Sequence, residues 1–401
     1  MKIVVAYSGG LDTSIIIKYL IEKYNAEVIA FTANIGQKIK EKELEKKALK
    51  TGAKKFYFKD LREKFVKNYI IPSLKGSALY QDKYPMATSL SRPLIAEEMV
   101  EIAKKEKVDA VAHGCTGKGN DQVRFELTFK YLSPELKIIA PLREWDFKSR
   151  EEEIEYAKKN KIPIPVSKEK PYSIDENLWG ISIECGKLED PWEQPPDDAY
   201  QITISPEKAP DKPTYIEIEF EKGVPVGLNG KKMDILKIIE FLNKVGGENG
   251  VGRIDMVEDR VVGIKSREIY EAPAAVILHT SHSELEKLIF TKELWEFKKL
   301  VSIKFSQLIY YGNWFSDFRE CLTAFVEETQ KYVTGKVKVK LYKGNCEVVG
   351  RKSPYSLYIE ELATYTEKDI FDHKASNGFI EIFGLSALLE GRRKLKTKKE
   401  K

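Results

Sequence analysis

Residues 6–14, Ala6-Tyr7-Ser8-Gly9-Gly10-Leu11-Asp12-Thr13-Ser14, join two contrasting patterns. Before them runs Ile3-Val4-Val5-Ala6, apolar and of the length of a buried strand; after them a helical pattern covers 14–24. A small-residue loop thus joins a strand end to a helix start. The first amides of a helix lack intrahelical partners, and the helix dipole adds partial positive charge there. Such a junction binds anions, phosphate above all. Gly9 and Gly10 permit close backbone approach, while Asp12, Thr13 and Ser14 add capping atoms or phosphate-binding hydroxyls. The spacing is neither the P-loop Gly-x-x-x-x-Gly-Lys-Ser/Thr nor Gly-x-Gly-x-x-Gly.

Working outward, strand-like runs at 2–6, 27–35, 55–58, 108–113 and 137–141 alternate with helical patterns at 14–24, 41–51, 62–71, 92–105 and 121–132. This alternation predicts a Rossmann-like α/β domain, a parallel sheet with helices on both faces. Ligands in such folds sit at the carboxyl ends of the strands, which brings 8–12, 33–37 and 114–120 to one crevice. A helix over 151–160 opens with a capping box, Ser149 and Glu152. Ile162-Pro163-Ile164-Pro165 reads as a linker, with a boundary near 165.

Beyond it, strands are expected at 201–205, 215–221 and 261–265 and helices at 233–245 and 274–288, with Gly246-Gly247 as a helix stop. Runs 336–342 and 346–351 flank a hairpin turn, Lys343-Gly344-Asn345. This is an α+β pattern. An apolar helical segment at 379–389 is expected to dock on a partner subunit or on its own domain, and the basic run 392–401 to be a disordered tail. The expected domains are 1–165, 166–369 and 370–401.

With 401 residues, 42% hydrophobic and 32% charged, the chain has the makeup of a soluble globular protein of two or three domains. It has neither a stretch of membrane-spanning length nor a leader, so a cytoplasmic location with no membrane partner is expected. A net charge of +5, from 67 basic and 62 acidic residues, is too small an excess to point to nucleic acid. The interspersed Lys and Glu, as in 38–50, read as solvated helix faces and also suit a thermophile. Cys115, Cys185, Cys321 and Cys346 form no Cys-x-x-Cys pair, and His279 and His282, three apart on a helical stretch, read as a partly buried pair. No metal site is expected from a protein motif.

The 6–14 loop resembles the Ser-Gly-Gly-x-Asp-Ser loop of the ATP pyrophosphatase superfamily, with Thr13 in the usual Ser place. The resemblance implies a grip on the β,γ-pyrophosphate and cleavage of ATP at the α-phosphorus. A second cluster, Ala112-His113-Gly114-Cys115-Thr116-Gly117-Lys118-Gly119-Asn120-Asp121-Gln122-Val123-Arg124-Phe125-Glu126, is another strand-loop-helix. In it Arg124 stands one turn beyond Asn120 and Asp121. Together with Thr32–Gln37, Tyr84–Pro93, Tyr172–Ser182, Gly252–Arg260 and Lys265–Glu271, all in family order, these loops are similar to those of the argininosuccinate synthase family over nearly the whole chain.

That resemblance implies an adenine nucleotide alpha hydrolase-like domain, a second synthetase domain and a C-terminal segment that clasps neighbours in a homotetramer. It implies that citrulline, aspartate and ATP, with Mg2+, give argininosuccinate, AMP and pyrophosphate. Ala6, Tyr7, Ser8, Gly9, Gly10, Leu11, Asp12, Thr13 and Ser14 would hold ATP, with Ala33 on the adenine side and Gly114 also lining the nucleotide. Tyr84, Ser89, Asn120, Arg124, Ser173, Ser182, Glu258 and Tyr270 would bind citrulline, and Thr116, Asn120 and Asp121 aspartate. Asp12, Ser14 and Asp121 are the catalytic candidates. By charge, Arg124 suits a carboxylate and Glu258 an α-ammonium. Cys115 in the loop and Asp82-Lys83 before Tyr84 depart from the family pattern. A tRNA-modifying ATP pyrophosphatase is the alternative; it would share the first loop but often needs a basic groove and paired cysteines. A non-catalytic nucleotide-binding protein would bind ATP without releasing AMP.

Overall fold

The computed structural model of the chain describes residues 1–147, 149–163 and 172–399. The expected linker beyond Pro163 and the boundary near 165 lie outside the described residues. Two compact units are present, Met1–Tyr355 and Ser356–Lys401.

The first unit opens with β1 (Lys2–Ala6), α1 (Leu11–Tyr24), β2 (Glu27–Asn34), α2 (Glu41–Thr51) and β3 (Lys55–Asp60). A short α3 (Arg62–Phe65), a π turn at Val66–Ile70 and α4 (Ile71–Lys75) replace the single helix expected at 62–71. There follow α5 (Ala87–Glu106), β4 (Ala110–Ala112), α6 (Asp121–Leu132), β5 (Lys137–Ile139) and α7 (Arg150–Lys159). All five strands are parallel, in the order β3-β2-β1-β4-β5. Successive β1 residues point to opposite faces. Ile3 and Val5 pack with Ile16, Ile17 and Leu20, and Val4 joins a separate core with Phe31, Leu90 and Leu94. Both faces are therefore covered, as a parallel sheet requires. Strand order reverses between β1 and β4, so the loops after these two strands border the crevice where such sheets bind ligands.

The remainder of this unit is β6 (Ser173–Asn177), β7 (Gly180–Glu184), β8 (Thr214–Glu221), β9 (Val224–Leu228), β10 (Lys231–Lys232), α8 (Ile235–Glu248), β11 (Arg253–Asp259), β12 (Lys265–Glu271), α9 (Pro273–Ile289), α10 (Lys292–Tyr310), α11 (Asp317–Thr329), β13 (Gly335–Tyr342) and β14 (Asn345–Lys352). Two antiparallel sheets result, β11-β12-β7-β6 and β10-β9-β8-β13-β14. The β13–β14 hairpin turns at Lys343 and Gly344, both at positive φ, as a two-residue loop demands.

Four local expectations are corrected. Residues 201–205 form no strand, because the amides of Gln201, Ile202 and Thr203 bond the buried carboxylate of Glu271 at 2.6–3.0 Å. Residues 261–263 are the turn between β11 and β12. Gly246 and Gly247 lie inside α8; a Cβ on the first would come within 2.8 Å of Pro273 Cβ, and one on the second would overlap the Ile202 carbonyl. They are there for close packing. The basic run beyond 392 continues a helix to Lys399.

The second unit carries α12 (Glu360–Ala363), α13 (Ala375–Phe383) and α14 (Leu385–Lys399). Phe379, Ile382, Phe383 and Leu389 on these helices are exposed. Among the described residues no helix is long and apolar enough to cross a membrane.

Candidate active site

The 7–10 loop ends at the N-terminus of α1, which has no side-chain cap. Its first amides therefore face the crevice without an intrahelical acceptor. Inside the loop Ser8 Oγ lies 3.1 Å from Thr13 Oγ1 and accepts from Gly10 N at 3.3 Å, while Ser14 Oγ donates to the Gly10 carbonyl at 2.6 Å. Tyr7 is buried, its hydroxyl 3.5 Å from Ser14 Oγ. Gly9 has φ +78° and its carbonyl accepts from Lys47 Nζ of α2 at 2.6 Å. Lys47, missed in the sequence, adds a cation beside the loop; burial lowers its pKa. Leu11 and Ala33 are buried, so Leu11 can offer a ligand little beyond backbone. The Ala33 carbonyl is taken by Gln37 Nε2 at 2.8 Å. Gly114 brings the second loop against α1: a Cβ there would stand 2.9 Å from Ile16 Cδ1 and 3.4 Å from Thr13 Cγ2.

Asp12 faces Glu153 of α7. Burial, then the negative Asp12, pushes the Glu153 carboxyl up to about 7. Since this lies above its unfolded value, the folded state binds the extra proton. The associated stability is complete below the ordinary carboxylate range and is lost as pH rises through about 7. Glu153→Gln is therefore expected to flatten the decline of the melting temperature between about pH 4.5 and 7.5. A decline as steep as in the parent would refute the assignment.

At the start of α6, Asp121 accepts from Arg92 Nε at 2.8 Å and Arg124 Nη1 at 2.9 Å. Burial opposes its charge, but the two guanidinium groups prevail and hold its carboxyl below the usual range. Arg92 also pairs with Asp175 of β6, whose pKa burial raises. Asn120 donates to Tyr310 Oη at 2.8 Å and accepts from Val261 N at 2.8 Å. Glu258, 2% exposed, receives Tyr270 Oη on one oxygen at 2.7 Å and Tyr310 Oη on the other. Burial raises its pKa and the two phenols oppose that rise. Tyr84 stacks on Tyr270 with ring centroids 3.9 Å apart. Its hydroxyl meets Thr88 Oγ1 at 2.8 Å, which meets Ser182 Oγ at 2.9 Å.

Two buried polar atoms here have no partner among the described residues, Arg124 Nη2 and Ser89 Oγ. Burying such groups unpaired is costly unless a ligand satisfies them. The structure thus draws Tyr84, Asn120, Asp121, Arg124, Ser182, Glu258 and Tyr270 into one bonded and stacked network. Thr116 is exposed on the second loop, and Ser173 is exposed at the start of β6, two residues before Asp175 on the same face. Thr88, Arg92, Asp175 and Tyr310 belong to the network but received no role from the sequence. The first three lie inside segments quoted for the family; Tyr310 has no motif around it.

Cys115 gains no role as a nucleophile, since burial and then Asp121 push its thiol up. His279 and His282 are buried on α9, and burial keeps both neutral. A cavity of about 850 Å³ lined by Lys83, His279, Thr280 and Ser302 shares none of the proposed site residues; convergent polar chemistry marks the site better than volume does.

Residues 2–163 match the family model described as the arginosuccinate synthase N-terminal HUP domain, and 172–390 its C-terminal domain. The argininosuccinate synthase of Chlorobium phaeobacteroides strain BS1 is 60% identical over 384 residues, 96% of each chain. Those of Pelodictyon phaeoclathratiforme and Chlorobaculum tepidum are 61% and 59% identical, again with 96% of each chain covered. The solved structure of a predicted subunit of tRNA methyltransferase from Methanocaldococcus jannaschii overlaps 39% of this chain and 76% of its own at 17% identity and TM-score 0.27, a likeness that carries no argument. With two family models spanning most of its length and relatives near 60% identity, the chain belongs to the argininosuccinate synthase family of ligases.

Proposed function

We propose that this chain joins L-citrulline to L-aspartate using ATP, through a citrulline-adenylate, and releases AMP and pyrophosphate. Support comes first from the buried Arg124 Nη2, which has no partner among the described residues, and from the uncapped N-terminus of α1, which is suited to phosphate. Ser8, Gly9, Gly10, Asp12, Thr13 and Ser14 grip the pyrophosphate, Ala6, Tyr7 and Leu11 complete the loop, and Ala33 and Gly114 border the nucleoside. Arg124 and Ser89 take the citrulline carboxylate and Glu258 its α-ammonium. Tyr84 and Tyr270 wall its aliphatic part, with Asn120, Ser173 and Ser182 as further contacts. Thr116, Asn120 and Asp121 take aspartate.

A ureido carbonyl is a poor electrophile. Its oxygen attacks the α-phosphorus, the bond to pyrophosphate breaks, and the carbon then bears AMP as a leaving group. The aspartate amine displaces it. Catalysis consists of holding three reactants in line and stabilising the departing charge at the α1 N-terminus. Magnesium bound to the phosphates would supply further neutralisation, and Asp12 is the carboxylate of the loop that would help to hold it. The reading extends to a cytoplasmic homotetramer, domains at 1–165, 166–369 and 370–401, and a clasp formed by the last of these; a light-scattering mass unchanged by deleting 370–401 would remove the clasp.

The test mixes protein, ATP, magnesium and citrulline with and without aspartate, and identifies products by mass spectrometry. Argininosuccinate, AMP and pyrophosphate are expected only with aspartate. ADP, or no turnover, would overturn the proposal.

A further inference from the structure

We propose that Tyr310 is a positioning residue of the citrulline site, fixing the Glu258 carboxylate and Asn120 amide with its phenol and Arg124 with its carbonyl. This rests on the site assignment above. Tyr310 is the last residue of α10 and fully buried. Its hydroxyl donates to Glu258 Oε1 and accepts from Asn120 Nδ2 at 2.8 Å. Its carbonyl accepts from Arg124 Nε at 3.1 Å, and the same guanidinium lies 4.9 Å from the centre of its ring. The ring is itself clamped: Tyr80 stacks on it with centroids 3.5 Å apart and 5° between planes, and Tyr84 meets it edge-on at 6.5 Å.

One rigid aromatic thus orients the groups assigned to the carboxylate and the ammonium of an α-amino acid. An anchor of this kind matters because the Arg124 and Glu258 side chains are long, and each loses affinity if its charged end wanders. Arg124 Nε and Nη1 are engaged by Tyr310 and Asp121, which leaves Nη2 to point at a ligand. On Glu258, Tyr310 and Tyr270 each occupy one lone pair per oxygen and leave the others for an ammonium.

The charged and titratable groups facing Glu258 are Tyr310 of α10, Tyr270 and Glu268 of β12, Arg124 of α6, Tyr80 and Tyr84 of the segment before α5, and Arg260 just after β11. Tyr310→Phe keeps the ring and the carbonyl but removes a donor to the ionised carboxylate. Glu258 then protonates at higher pH. The acid limb of kcat/KM for citrulline is expected to move up by roughly one pH unit, with KM rising while the KM for ATP holds.

Glu258→Gln separates the two layers of the argument. If the limb belongs to Glu258, this variant abolishes it; a limb that persists overturns the site assignment. A limb that vanishes in Glu258→Gln yet stays in place in Tyr310→Phe overturns the role of Tyr310 alone. Should Tyr310→Phe fail to fold, Tyr310→3-fluorotyrosine, whose phenol is more acidic and donates more strongly, is expected to move the limb downward. An unmoved limb there overturns the proposal as well.

Discussion

Arg124→Ala is expected to raise the KM for citrulline on the order of 10²–10³-fold while that for ATP stays within about threefold. Removing one partner of a buried, hydrogen-bonded charge pair costs about 2–5 kcal/mol, and each 1.4 kcal/mol is tenfold in affinity. Arg124 is 3% exposed, so water cannot replace it once a carboxylate is seated. Asp121 keeps Arg92 at 2.8 Å, so the variant does not strand it as an unpaired buried charge. That retained pair is why the loss should fall on citrulline first, with aspartate affected less. Initial-rate kinetics with each substrate varied in turn check this. A rise confined to ATP would remove Arg124 from the amino-acid site.

Gly9→Trp is expected to weaken ATP binding at least about 100-fold, equivalent to about 2.7 kcal/mol, in a chain that stays folded. At φ +78° a side chain is strained by about 1–2 kcal/mol. A Cβ there would also overlap Leu44 Cδ2 of α2. The indole would have to swing toward the uncapped start of α1, over the amides proposed to receive pyrophosphate. The strained residue lies in a partly exposed loop, so the β1–α1 core around Ile3, Val5 and Ile16 has no reason to open. Calorimetric ATP titration beside a far-ultraviolet dichroism spectrum separates the two effects. Normal ATP affinity would show that the loop is not the pyrophosphate grip.

Much of the nucleotide-binding half was legible because its signals are local. The bounds of β1, α2 and α6 agree with the sequence pattern residue for residue, since a short run of buried Ile and Val and the spacing of helical faces are set within a few neighbours. Two of the errors share a cause, a partner distant in the chain. The 201–205 run has the residues of a strand, but its amides found an acceptor about 70 positions away in Glu271. Gly246-Gly247 has the residues of a helix end, but both lie inside α8, where Pro273 and Ile202 approach so closely that a Cβ would not fit.

The site divides along the same line. Its anion loop is a property of consecutive residues: a strand, two glycines and a helix start place amides together whatever surrounds them. The proposed amino-acid pocket is not. Tyr310 stands 52 residues from Glu258 and 190 from Asn120, and no spacing rule joins them. Buried polar groups must find partners wherever packing brings them, so α6, α10, β11 and β12 had to be in place before Arg124 and Glu258 acquired their orientation. Short-range geometry and side-chain chemistry were written in the chain order, and the long-range partnerships arose only when the core closed.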